Sequence, residues 1–270
     1  MNDSPIGIFD SGMGGLTVMR ALTERLPGER FLYLGDTARL PYGTKSAETV
    51  RRYALQAAQA LTARGVKLIV IACNTASVSL PALQEALKPL PVIGVIEPGA
   101  HAALKAAPQG PIAVIATEGT VKGGAYPHAI HALSPAPVVQ QACPLFVPMA
   151  EEGLIDGPIV EAVAHRYLDP LMATMPRPRA LVLGCTHFPV LKNVIARVVG
   201  ADVTLVDSAA TTAEAVAELL RERGLARREK SVEPPLFLAT DAPDRFARVG
   251  EIFFGQSIDP GTGEQIDLQL

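Results

Sequence analysis

The sequence predicts an α/β protein built as two similar doubly wound parallel-sheet lobes, with its functional site in the cleft between them. Three observations predict it. Short β-branched runs alternate with longer Ala/Leu/Glu/Arg stretches, the pattern of βαβ units. The 270 residues are 49% hydrophobic but only 5% aromatic and lack tryptophan, which suits an aliphatic core of helices packed on parallel strands. The alternation also restarts midway. Leu68–Thr75 and Ala180–His187 then stand out as related segments, each an apolar strand running into a cysteine and polar residues.

The elements follow in order. Ile6–Phe9 reads as the first strand, Leu16–Leu26 as the helix after it, and Phe31–Leu34 as a second strand closed by the turn Gly35-Asp36-Thr37. Ser46 is placed to cap a helix reaching about Arg64, with Glu48 and Arg52 spaced for an i,i+4 pair. Leu68–Ala72 is apolar throughout and so reads as a strand buried on both faces. Pro81–Lys88 is helical and Val92–Ile96 is a fourth strand.

In the second run Ile112–Ala116 is a strand and Val138-Val139 a weaker one. Ile159–Met172 is a helix, Ala180–Leu183 a strand, Val190–Val199 a helix and Val203–Val206 a strand. Asp207-Ser208 reads as a cap, with Ser208 opening a helix from about Thr212 to Arg223. Leu236–Ala239 is one more strand, followed by a helix near Pro243–Arg248.

Composition closes several classes. Glycine and proline number 23 each, about one residue in six together against roughly one in eight on average, dispersed as in a chain of many tight turns. A net charge of −3 offers no footprint for nucleic acid or an anionic membrane. The pairs Arg51-Arg52 and Arg227-Arg228 read as solvated ends. No apolar run approaches a membrane span, and Met1–Pro5 has no signal-peptide character, so the expected compartment is the cytoplasm. The three cysteines, Cys73, Cys143 and Cys185, form no CxxC pair and have no histidine at zinc-finger spacing. Neither a disulfide framework nor a metal site is expected.

The chemistry concentrates where strands end. In open parallel sheets ligands bind at the carboxyl ends of the strands, and Cys73 and Cys185 both follow strands directly. Hydrogen-bonding residues come after each, Asn74-Thr75 and Thr186-His187. A matched pair of thiols suggests inversion of a stereocentre, which needs a base on one face of a carbon and an acid on the other. A thiol, with an ordinary pKa near 8.5, can serve as either. Asp10, ending the first strand, and His187 are the groups placed to tune them. Asp10-Ser11-Gly12-Met13-Gly14-Gly15 makes a glycine-rich turn into a helix, suited to an anion or simply a capped turn; it matches neither a dinucleotide fingerprint nor a P-loop. Asp36-Thr37 and Pro41-Tyr42-Gly43 lie at the same sheet edge, and Thr117 to Thr120 is the counterpart in the second lobe. Glu151-Glu152 reads either as a cleft acid or as paired surface acids. Cys143 reads as structural, and His101, His128, His131 and His165 as structural or exposed.

Four segments in register now identify a resemblance: Asp10–Gly15, Leu34–Thr37 with Pro41–Gly43, Ala72–Ala76 and Gly184–His187. Together they closely resemble the glutamate racemases of the aspartate/glutamate racemase family, from about residue 6 to 208. The resemblance implies cofactor-independent interconversion of L- and D-glutamate, supplying D-glutamate for peptidoglycan. It implies that Cys73 and Cys185 are the bases, with Asp10 beside the first and His187 beside the second. Substrate contacts carry over to Asp10, Ser11, Tyr42, Gly43, Asn74, Thr75, Thr186 and His187, with Thr117 and Thr120 facing them. The family's further acid maps to Glu151, with Glu152 as the alternative.

The implied lobes are residues 1–97 plus 208–270, carrying Asp10 and Cys73, and residues 98–207, carrying Cys185 and His187. Homodimers are implied as well. Gly123-Gly124 departs from the pattern, where a serine is expected. Other readings are a racemase for aspartate or a hydantoin, a non-catalytic binder on the same scaffold, and a cysteine hydrolase using Cys185 and His187. The hydrolase leaves the second thiol unexplained.

Overall fold

The computed structural model describes residues 3–227, 233–259 and 263–268, so Met1, Asn2 and Arg228 lie outside the described residues. The chain begins β1 (Ile6–Asp10), α1 (Leu16–Arg25), β2 (Phe31–Gly35), α2 (Ala47–Ala63) and β3 (Leu68–Ile71). It continues α3 (Asn74–Ser77), α4 (Leu80–Ala86), β4 (Val92–Gly94) and α5 (Ile96–Ala106). Next come β5 (Ile112–Ala116), α6 (Glu118–Gly123), α7 (Ala125–His131), β6 (Val138–Ala142) and α8 (Phe146–Glu151). These are followed by α9 (Pro158–Met172), β7 (Ala180–Gly184), α10 (Lys192–Val199), β8 (Thr204–Asp207) and α11 (Ser208–Glu222). The chain closes with β9 (Leu236–Ala239), α12 (Pro243–Phe254) and β10 (Gly263–Gln265).

Two parallel sheets result. The first has six strands in the order β10-β9-β2-β1-β3-β4 and the second four in the order β6-β5-β7-β8. β1 and β5 are the inner strands on which each sheet is built. β1 pairs with both β2 and β3, and β5 with both β6 and β7.

Strand periodicity explains why both faces of each sheet are covered. Alternate residues point to opposite faces. Leu68 and Val70 enter one core with Ile6, Ile8 and helices α1, α11 and α12, while Ile69 and Ile71 enter another with Phe9 and α2. In the second sheet Ala113 and Ile115 face α9 and α10, and Val114 and Ala116 face α5 and α7. Each fully buried aliphatic side chain contributes about 1.5–3 kcal/mol. These four cores fix the strand ends that carry the site. Among the described residues no helix is long and apolar enough to cross a membrane.

Several local expectations need correction. Ile96 opens α5 rather than ending a strand. Pro98 in its first turn costs little there, because the N–H it lacks would have no intrahelical partner. The helix expected from Thr212 starts at Ser208, capped by Asp207, whose Oδ1 accepts from the Ala209 N–H at 2.8 Å. Ser46 caps α2 as the spacing predicts, but Arg52 lies over the Tyr53 ring at 5.4 Å instead of pairing with Glu48. Arg227 is packed rather than solvated, its Nε 3.2 Å from Asp3. Gly124 sits at φ 62° between α6 and α7, where glycine avoids strain, and a Cβ on Gly123 would lie 2.8 Å from Val78.

Candidate active site

β1, β3 and β7 place the central groups at their carboxyl ends. Asp10 is the last residue of β1, opposite Gly35 in register. The Ala72 N–H donates to the Phe9 carbonyl at 2.8 Å, extending the β1–β3 pairing to the residue before Cys73. Cys185 follows Gly184, whose register partner is Ala116, directly before Thr117. The strand ends therefore collect Asp10, Cys73, Thr117 and Cys185 without help from any long loop.

The first thiol is enclosed by its own chain. Cys73 caps α3, its Sγ accepting from the Ala76 N–H at 3.5 Å, and it donates to Ser11 Oγ at 3.6 Å. Only 5% of the residue is exposed. Burial pushes the thiol up to about 12, the Asp10 charge adds to the rise, and the Ala76 and Ser11 contacts oppose it. A charge on Cys185 adds the smallest upward push.

Asp10 is fully buried. Its Oδ2 accepts from the Gly12 N–H at 3.0 Å, while Oδ1 has no partner among the described residues. Burial raises its carboxyl above the ordinary range, against the pull of His187 and the amides of Gly15, Gly12 and Ser11. A desolvated carboxylate with a free oxygen is costly, and it is suited to receive a cation.

The second thiol faces a relay. Cys185 Sγ lies 3.8 Å from His187 Nδ1, and His187 Nε2 lies 3.1 Å from Glu151 Oε1. Burial lowers the imidazole, but the Cys185 and Glu151 contacts outweigh it and hold His187 above its ordinary value. Burial likewise raises Glu151, and the His187 and Arg245 contacts overcome it to leave the carboxyl lowered. Both shifts favour an imidazolium donating from both ring nitrogens to Cys185 and Glu151. Glu152, the next residue, is exposed.

Polar groups from both lobes converge around the thiols. Thr75, Thr117 and Thr120 form a ring of hydroxyls with Oγ1 separations of 2.9, 3.2 and 3.1 Å. Asn74 is 2% exposed. Its Oδ1 accepts from Tyr126 at 2.8 Å, and its Nδ2 has no partner among the described residues. Thr186 Oγ1 lies 3.4 Å from His187 Nδ1, and its carbonyl accepts from Thr17 of the first lobe at 3.1 Å. The Tyr42 side chain turns away toward the buried Asp36, to which its hydroxyl donates. Gly43, by contrast, packs on the second lobe, where a Cβ would sit 2.7 Å from that of Thr117. Cys143 is fully buried, its thiol donating to the Gln141 carbonyl at 3.7 Å. Among the described residues no group of three His, Cys, Asp or Glu is arranged to hold a metal.

Four contributors escape sequence reasoning. Tyr126 orients Asn74, and the Tyr33 hydroxyl donates to the Gly12 carbonyl at 2.9 Å. Arg245 reaches Glu151, and the Phe253 ring stands edge-on to His187 at 5.0 Å. Nothing in the sequence marks Tyr33, Tyr126, Arg245 or Phe253 for these places.

Comparison with known proteins agrees with this architecture. The family model described as Asp/Glu/Hydantoin racemase matches residues 6–216. The glutamate racemase of Geobacter metallireducens is 48% identical over 266 residues, 98% of this chain and 97% of its own. That of Syntrophus aciditrophicus is 46% identical over 265 residues, 98% of this chain and 97% of its own. The crystal structure of glutamate racemase from Francisella tularensis in complex with D-glutamate superposes with a TM-score of 0.91 at 40% identity, covering 99% of both chains. With a family model matching most of its length and a relative 48% identical over nearly the whole chain, this protein belongs to the Asp/Glu/hydantoin racemase family.

Proposed function

We propose that this chain interconverts L- and D-glutamate by a two-base reaction in which Cys73 and Cys185 act directly on the α-carbon. The carrying observation is the pair of buried thiols at the ends of β3 and β7, each with its own polar partners. One thiolate takes the α-proton, and the opposite thiol returns a proton to the other face. The resting thiol and thiolate then stand exchanged, ready for the reverse direction.

The unpartnered atoms suggest how substrate sits. Asp10 Oδ1 receives the α-ammonium, and Asn74 Nδ2 donates to the α-carboxylate. Neutralising Asp10 removes one of the charges that raise Cys73, so binding itself eases formation of that thiolate. The Thr75, Thr117 and Thr120 hydroxyls and the main chain of Tyr42-Gly43 complete the polar lining. As negative charge builds on the carboxylate of the carbanion-like transition state, these fixed donors stabilise it without reorganising. His187, held by Glu151 at Nε2, presents Nδ1 to the Cys185 thiol.

The two lobes would be residues 1–97 plus 208–270 and residues 98–207. D-Glutamate for peptidoglycan, a cytoplasmic location and a homodimer complete the reading; sedimentation of the purified chain tests the last. The order Cys185–His187–Glu151 also fits a hydrolase triad, but that chemistry gives Cys73 no task.

The test is incubation with L-glutamate in D2O. Inversion with deuterium at Cα is expected, and both Cys73→Ser and Cys185→Ser should invert about 10²-fold or more slowly. Absence of α-exchange in the wild-type chain, or full inversion by either variant, overturns the reading.

A further inference from the structure

α12 touches the His187–Glu151 relay twice. Arg245 Nη2 donates to Glu151 Oε2 at 3.4 Å, while the opposite oxygen of that carboxylate is 3.1 Å from His187 Nε2. Eight residues on, Phe253 sets its ring at 72° to the imidazole with centroids 5.0 Å apart. The helix lies beyond residue 216, where the family match ends. The Arg245 side chain is 40% exposed and that of Glu151 12%, so the guanidinium spans from solvent to a carboxylate that water barely reaches.

We infer that Arg245 is a positioning residue for the Cys185 half of the reaction: by fixing Glu151 it keeps His187 turned toward the thiol. This rests on the reading of Cys185 as a base served by His187. The groups facing the relay come from four elements: Cys185 after β7, Asp10 from β1, Glu151 from α8 and Arg245 from α12. Three of these carry or acquire negative charge, and Arg245 supplies the permanent positive one. Without it Glu151 keeps a single partner and regains torsional freedom about its side chain. The imidazole then loses its fixed partner at Nε2, while the surroundings of Cys73, which Arg245 does not touch, stay as they are.

The test uses this asymmetry. Enantiomers have equal free energy, so kcat/KM must change equally in both directions, and rate alone cannot say which half is impaired. Primary isotope effects can. In Arg245→Gln we expect kcat/KM to fall roughly tenfold, less than loss of a whole acid–base group. The isotope effect on kcat/KM should rise for the α-deuterated enantiomer that faces Cys185 and fall for its mirror image. Glu151→Gln should show the same split, and Arg245→Lys should return most of the rate. A split in Glu151→Gln but none in Arg245→Gln overturns the role of Arg245 and leaves the relay standing. A loss in Arg245→Gln that is equal for both deuterated enantiomers also overturns it, marking the contact as structural. No split in Glu151→Gln overturns the relay itself.

Discussion

Gly14 of the first lobe packs so tightly on His187 of the second that a Cβ there would lie 2.4 Å from Nδ1 and 2.5 Å from Cε1. The same Cβ would meet Thr186 Oγ1 at 2.5 Å. The contact presses the turn after β1 against the ring whose Nδ1 lies 3.8 Å from Cys185. Gly14→Ala must therefore move His187 or part the two lobes. Overpacking of this kind costs about 1–3 kcal/mol. Because the displaced ring serves the second thiol, kcat should fall by at least about tenfold while thermal unfolding shows only the overpacking cost. Measuring both on one preparation separates them; a fall in Tm with unchanged kcat would show that His187 need not hold its place.

The buried Asp10 carboxyl makes a prediction with a definite sign. Its native pKa is raised by burial above the unfolded value near 3.8, so the native state binds more protons between the two. Stability is then greatest below the unfolded value and declines as pH rises through the native one. Asp10→Asn keeps an acceptor for the Gly12 N–H and cannot ionise. The variant should lose that decline, match or exceed the wild type in denaturant midpoint near neutral pH, and be almost inactive. A midpoint difference between wild type and Asp10→Asn that is the same at pH 4 and pH 7 would contradict the argument. This is the pattern of a group kept for function at a cost in stability.

At the amino ends of the strands, away from the thiols, Lys67 Nζ and Glu29 Oε2 form an ion pair at 2.5 Å with side chains 2% and 5% exposed. Glu29 Oε1 also accepts the Arg227 N–H at 2.8 Å. Removing one charge of a buried pair costs about 3–5 kcal/mol, whereas replacing both by apolar groups is close to neutral. Glu29→Gln should therefore lower the midpoint of urea unfolding markedly, and the double variant Glu29→Leu, Lys67→Met should recover most of it. Both should keep wild-type kcat when folded. Equal destabilisation by the single and double variants would count against a desolvated pair.

Which parts of this structure were legible depends on how local their causes are. β3 could be read because Leu68-Ile69-Val70-Ile71 is apolar on both faces, as only a doubly covered strand requires. The strand-end positions of Asp10, Cys73 and Cys185 follow from the same logic. α3 and α6 could not be read. Each is under two turns long, too short for a helical period, and its threonines, serine and glycines favour other conformations. α5 was hidden by Ile96, which continues a β-branched run, and by Pro98, which reads as a breaker. Between Glu151 and Glu152 the chemistry is identical. Helical phase alone turns one to His187 and the other to solvent. Arg245 and Phe253 meet their partners only through tertiary packing, across intervals of sequence that no local pattern spans.

Tyr42 separates a side chain from its own backbone. It is 1% exposed, its ring packs against Phe9 and Tyr53 at centroid distances of 6.1 and 5.8 Å, and its hydroxyl donates to Asp36. Asp36 is also held by Arg39 at 2.7 Å and by Thr240 at 3.0 Å. The phenol is thus directed into the first lobe, and its pKa is driven upward by burial and the Asp36 charge. Whatever this residue gives to substrate must come from its main chain, presented by the 3-10 turn Tyr42–Thr44. Tyr42→Phe removes one hydrogen bond from a carboxylate that keeps two other partners. It should cost about 1–2 kcal/mol of stability, with KM for glutamate within about twofold of wild type. Asp36→Ala removes the anchor of the whole turn and should raise KM far more than Tyr42→Phe does. Steady-state kinetics of the two variants decides the matter, and a large KM increase in Tyr42→Phe alone would mean that the phenol itself reaches the substrate.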